Sequence, residues 1–202
     1  MNTHVCNPEA RVIPTTAERV RLPGDLAIWI FILAELLAFG VFFIAYAFAR
    51  AADVASFDAM QQGLARDAGA LNTVLLLSSS FFVVRAPQAA AKSQCTAAAR
   101  WLLAALACAA GFVAVKLGEY AAKFAAGISL SSDTFHMFYL SLTFFHFMHV
   151  LLGMVILAAL WNGARRQRYH PGNMNGIESG AAYWHMVDLV WLVLFPLVYV
   201  MR

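Results

Sequence analysis

Charge is scarce in this sequence. Lys, Arg, Asp and Glu make up 12% of its 202 residues, about half the share of an ordinary soluble domain, which argues against a fully solvated globule. Cysteine is scarce as well. Cys6, Cys95 and Cys108 are widely spaced with no CxxC pair, which argues against a disulfide framework and against a thiolate metal site. No internal repeat, phosphate-binding glycine loop or nucleophile–base motif occurs. The zinc-protease pattern His-Glu-x-x-His is missing, and neither Glu35 nor Glu119 is followed by a histidine three residues on, as a ferritin-like di-iron centre requires. Residues 1–24 form a polar tail without an apolar core, so a secretory signal peptide is not expected. The stretch AYAFA (45–49) has the look of a cleavage site. The run before it is too long for a signal and contains Glu35, so an uncleaved span is expected.

Apolar residues are abundant, at 62%. Charges and turn residues divide them into five runs, 26–49, 71–91, 101–124, 135–161 and 181–201. Each is long enough to cross a bilayer, which takes roughly 20 residues. The expected fold is therefore all-α: a polar tail (1–24), then one bundle of five transmembrane helices with short loops (25–202). Basic residues in the loops set the expected orientation. One side carries Arg11, Arg19, Arg21, Arg85, Lys92, Arg100, Arg165, Arg166 and Arg168; the other carries Arg50, Arg66, Lys123 and Arg202. Nine against four puts the N-terminus in the cytoplasm and the C-terminus in the periplasm. The net charge of +3 is thus a topology signal, and with basic residues scattered over three loops no nucleic-acid partner is expected.

Ionisable residues inside spans are costly and need partners or a wet pocket. They are Glu35, Lys116, Glu119, His146, His149, His185 and Asp188. Lys116/Glu119, His146/His149 and His185/Asp188 are each three residues apart, so each pair shares a helix face. Lys116 and Glu119 read as a structural ion pair. Glu35, His146, His149, His185 and Asp188 fall within roughly 7 Å of their helix midpoints and are expected to form one polar layer, with Ser78, Ser79 and Ser80 as donors. Helix–helix hydrogen bonding, a proton relay and a haem ligand set all remain open for the histidines on spacing alone. Gly111, Gly118 and Gly153 are candidate points of close helix approach. Trp101, Trp161 and Tyr199 are placed as interfacial anchors.

Five stretches carry a family resemblance: WIFILAELLAFGVFF (29–43), LNTVLLLSSS (71–80), KLGEY (116–120), FHFMHVLLG (145–153) and YWHMVDLVWLVLFPLVY (183–199). Together they resemble the subunit III family of haem-copper oxidases, in order and at helix-scale spacing from about Gly24 onward. The Trp-His-x-x-Asp-x-x-Trp motif is the most specific of them. The length resembles the five-helix members, which lack the first two helices of the seven-helix form. GDLAIWIFILAELLAFG, GEYAAKF and LVLFPLVYVMR look most like the branch associated with bacterial nitric oxide reductase systems.

The resemblance implies a multi-pass inner-membrane accessory subunit with no catalytic residues, metal or cofactor of its own. Its implied partners are membrane lipids and the catalytic haem-copper subunit of an oxidase or nitric oxide reductase, whose stability and proton uptake it supports. It also implies that Glu35 matches the family's carbodiimide-reactive carboxyl, and that His146, His149, His185 and Asp188 are polar-network residues. Phe147 and Met148 depart from the family's usual glycine after the first histidine. The missing helices leave the family's lipid cleft without a counterpart. Two other readings stay in play: a haem b-binding membrane anchor using His146 or His149 with His185, and a small proton or ion transporter.

Overall fold

A computed structural model describes residues 25–201. Its helices are α1 (Leu26–Ala52), α2 (Val54–Gln61), α3 (Arg66–Ala91), α4 (Cys95–Ala125), α5 (Thr134–Arg165) and α6 (Asn175–Phe195). A π-helical turn, Pro196–Val200, extends α6. All but α2 are long and apolar enough to cross a membrane, as the five apolar runs predict. No strand occurs among the described residues; the β-type pairing there is a single bridge, His170 to Asn173.

Polar residues at the junctions explain the helix ends. Asp25, Asp53 and Asp133 cap α1, α2 and α5, accepting from the amides of Ala27, Ser56 and His136 at 3.4, 3.2 and 2.8 Å. Partial burial pushes the Asp133 carboxyl up, but its hydrogen bonds from the His136 amide and ring outweigh that and hold it below the usual range. At the other ends, Ser93, Gly127 and Gln167 take positive φ, and Gln94, Ile128 and Arg168 each donate to a carbonyl five residues back. These are left-handed terminations that satisfy the last carbonyls of α3, α4 and α5. Pro196 has no N–H to donate, and the chain answers by widening to a π-turn closed by Met201 N–H on the Pro196 carbonyl at 2.8 Å.

Helices α3, α4, α5 and α6 pack in a closed ring, while α1 leans on α6 and α5 from outside. The Asp25 amide donates to Ser179 Oγ at 3.0 Å, so α1 and α6 begin on the same side of the bundle. The ring encloses Trp184, Trp191, Tyr139, Tyr199, Phe112 and Leu76, all fully buried. Most of α1 is exposed apolar surface. The short helix α2 was not expected from the sequence. It folds back under the ends of the bundle: Gln61, buried, donates to the Val198 carbonyl at 2.8 Å, and Arg50 holds Asp58 at 2.8 Å and the Met201 carbonyl at 2.6 Å.

Of the glycines proposed as approach points, Gly153 fits that role most closely. A Cβ there would lie 2.8 Å from Trp184 Cε3 and 2.9 Å from Cζ3, with the rigid indole unable to yield. Gly118 differs, since a Cβ there meets nothing within 4 Å. Gly153→Val is therefore expected to destabilise the bundle by roughly 1–3 kcal/mol, whereas Gly118→Ala is expected to be neutral or stabilising by up to about 1 kcal/mol. Thermal unfolding of the two variants in one detergent checks this; equal midpoints for both would contradict the packing.

Candidate functional site

The intramembrane polar residues do not meet in one layer; they form four separate arrangements. The largest is built on α4. Lys116 Nζ lies 2.9 Å from Glu119 Oε2, both side chains being almost wholly buried. Two tyrosines complete it: Tyr139 from α5 and Tyr199 from the π-turn donate to Glu119 Oε1 at 2.5 and 2.7 Å. Tyr199 Oη in turn accepts from Lys116 Nζ at 2.5 Å. The rings of Tyr120, Tyr139, Trp191 and Tyr199 surround the ammonium, with centroids 5.2–5.5 Å away. Charge-assisted hydrogen bonds and ring quadrupoles thus replace the water both charges gave up. Glu119 also forms part of the wall of a half-open cavity of about 330 Å³, with Ala68, Val115, Lys123 and Ile128. Tyr199 is therefore not an interfacial anchor. Its hydroxyl finds a better partner in the buried ion pair than in the headgroup layer, because the π-turn swings the ring inward.

The second arrangement joins α1 to α5. His149 Nε2 lies 3.1 Å from Glu35 Oε2, and its Nδ1 donates to the Phe145 carbonyl at 2.8 Å. A carbonyl only accepts, so Nδ1 carries a proton and the Nε2···Oε2 contact holds one more between the two groups. The pair is either acid with imidazole or carboxylate with imidazolium, and it is neutral in both forms. The Phe39 and Phe145 rings flank it, and Tyr183 Oη donates to the His149 carbonyl at 3.2 Å. The pair is only partly covered: the Glu35 side chain is 20% exposed and that of His149 11%.

The third joins α3 to α6, where Ser80 Oγ and His185 Nδ1 are hydrogen-bonded at 2.6 Å. Ser79 does not join it, donating instead to the Ala105 carbonyl on α4. Asp188 is buried on the same helix as His185, and its Oδ1 has no hydrogen-bond partner. The fourth is His146, wholly buried among the rings of Phe39, Phe112 and Trp191, with neither ring nitrogen hydrogen-bonded. The two histidines of FHFMH therefore do different things: His149 bridges helices and His146 fills aromatic core. Both ring nitrogens of His149 are engaged, which leaves it no lone pair for an axial haem bond in this arrangement. Among the described residues no group of three or more His, Cys, Asp and Glu is placed to hold a metal ion.

Sequence reasoning missed Tyr139 and Tyr199 as partners of the ion pair. It also missed Asn72, fully buried with its amide unpaired, and Thr73, which accepts from Trp191 Nε1 at 2.9 Å. The last contact pins the second tryptophan of Trp-His-x-x-Asp-x-x-Trp to α3. Removing one member of a buried pair strands the other's charge. Lys116→Met is expected to cost on the order of 3–5 kcal/mol, and Lys116→Met/Glu119→Gln to recover much of it. Thermal unfolding of the single and double variants measures this; a single variant as stable as the parent chain would remove the pair from the fold's energetics.

Comparison with known proteins agrees with the motifs. The family model described as Cytochrome c oxidase subunit III matches residues 9–202. The "Cytochrome c oxidase subunit 3" of Thermostichus vulcanus is 28% identical over 177 residues, covering 87% of this chain and 86% of that one. That of Synechocystis sp. is 33% identical over 132 residues, covering 65% of this chain and 55% of the relative. The "Heme-copper oxidase subunit I+III" of Aeropyrum pernix is 30% identical over 207 residues, covering 96% of this chain and 25% of that longer one. The chain thus spans most of the first relative, about half of the second and a quarter of the third. Five membrane-spanning helices and bacterial relatives of this kind make it a multi-pass protein of the bacterial inner membrane. By its family match and its helical architecture, the chain belongs to the cytochrome c oxidase subunit III family.

Proposed function

We propose that this chain is a non-catalytic accessory subunit of a haem-copper oxidase, docked on the catalytic subunit and supporting its stability and sustained proton uptake. The observation that carries the reading, beyond the family itself, is the Glu35–His149 pair at mid-span, partly exposed on the rim between α1 and α5. A carboxyl–imidazole pair is costly against lipid tails and far less so against a protein surface or its trapped water. The mostly exposed apolar face of α1 continues the same surface. The printed name of the Aeropyrum relative joins subunits I and III in one protein, which supports subunit I as the partner here. Of the partner systems, a bacterial nitric oxide reductase-associated complex fits the motifs of α1, α4 and the C-terminal end. The N-terminus is cytoplasmic and the C-terminus periplasmic in this reading, following the basic loops. The Glu35–His149 pair holds one proton between its two groups; passing that proton on and regaining it, with the pair's net charge changing by one each time, would make it a minor proton reservoir beside the catalytic chain.

Glu35→Ala and Asp188→Asn test the proposal. Both are expected to lower recovery of the complex or shorten sustained turnover while leaving the haem spectra of the catalytic subunit unchanged. Parental assembly and turnover in both variants would remove these polar groups from the mechanism.

A further inference from the structure

A second feature of the surface is unrelated to the Glu35 face. Helices α3 and α4 form a tight hairpin whose tip, residues 92–94, lies on the side where α1 and α6 begin. Arg85 stands six residues before the end of α3 and Arg100 five after the start of α4, so each lies about 8 Å from the tip, at matching depth. The Arg85 guanidinium is held over Trp101 at 5.5 Å and Phe81 at 6.0 Å, and Phe82 stacks on Trp101 at 5.8 Å. Arg100 precedes Trp101 and is exposed, as are Arg85 and Lys92 at the tip. The four ion pairs among the described residues involve none of these three cations, and no hydrogen bond to them is found there either. Below the arginines the surface is apolar and open, with Phe81 57% and Leu103 52% exposed.

We infer that the α3–α4 hairpin binds the headgroup of an anionic phospholipid between Arg85 and Arg100. Three features fit that occupant together. A guanidinium oriented by two rings keeps its N–H fork free for phosphate oxygens. A tryptophan at the same level marks the depth of the headgroup layer. An apolar wall continues from there toward the bilayer centre, where acyl chains lie. Basic residues at a helix-pair end are a recurrent design for phosphate headgroups, each interfacial cation contributing about 1 kcal/mol. The inference does not depend on the accessory role.

The test is native mass spectrometry of the full purified chain in neutral detergent, titrated with phosphatidylglycerol, with phosphatidylcholine of the same acyl chains, and with inorganic phosphate. The parent chain is expected to retain one phosphatidylglycerol in preference to phosphatidylcholine, with phosphate a poor competitor. In Arg85→Gln/Arg100→Gln the preference is expected to fall roughly ten-fold or more, the effect of two interfacial charges. Both side chains are exposed, so folding is expected to survive. Arg85→Lys, which keeps the charge and loses the fork, is expected to lie between. Arg166→Gln/Arg168→Gln, two exposed arginines after α5 on the same side of the bundle with no ring contact like that of Arg85 among the described residues, is expected to retain the preference. Equal loss in the two double variants, which diffuse charge attraction would give, overturns the inference. So does unchanged lipid retention accompanied by loss of a co-purifying chain, which would assign the arginines to a protein carboxylate.

Discussion

Lys116 carries its ammonium into a box of four aromatic rings, and the fold closes around the carboxylate that neutralises it. The two charges sit on one helix, but their remaining hydrogen bonds reach Tyr139 on α5 and Tyr199 on the turn that ends α6. In lipid, helix association gains little from the hydrophobic effect, so packing and polar contacts of this kind decide which helices meet. The position of Tyr199 depends in turn on the π-turn begun by Pro196. That turn is braced from below by Gln61 of α2 on the Val198 carbonyl and by Arg50 on that of Met201. A chain of contacts therefore runs from a buried ion pair to the loop between the first two spans.

The five spans were legible because hydropathy over about 20 residues is a one-dimensional signal. The structure lengthens several of them at their ends, where capping aspartates and left-handed terminators take over from hydropathy. Helix α2 was not legible. Eight residues with mixed polarity give neither a long apolar run nor a clear face, and its order comes from Arg50 and Gln61 reaching distant carbonyls. Tyr199 misled for a related reason: a tyrosine near a span's end has the pattern of a belt residue, and only the tertiary fold turns it inward.

Spacing placed Lys116 beside Glu119, because both lie on one turn of one helix. It could not apportion the other polar residues, because side chains three residues apart on one helix still point about 60° apart, enough to meet different neighbours. His146 and His149 lie at nearly the same depth yet face aromatic core and Glu35 respectively. Ser80 was legible as a donor to these residues, but nothing in the sequence separated it from Ser79, which turns to the Ala105 carbonyl while Ser80 meets His185. Only the closed ring of α3 to α6, with α1 outside it, separates these environments. The same ring leaves the Glu35–His149 pair partly exposed between α1 and α5.

The most direct measurement is purification of a tagged chain from mildly solubilised native membranes, with an optical spectrum of the eluate and identification of every co-eluting chain. An accessory subunit carries down a large catalytic chain together with both low-spin and high-spin haem. Stoichiometric haem on this chain alone, or a colourless chain with no partner under the mildest solubilisation, would contradict it.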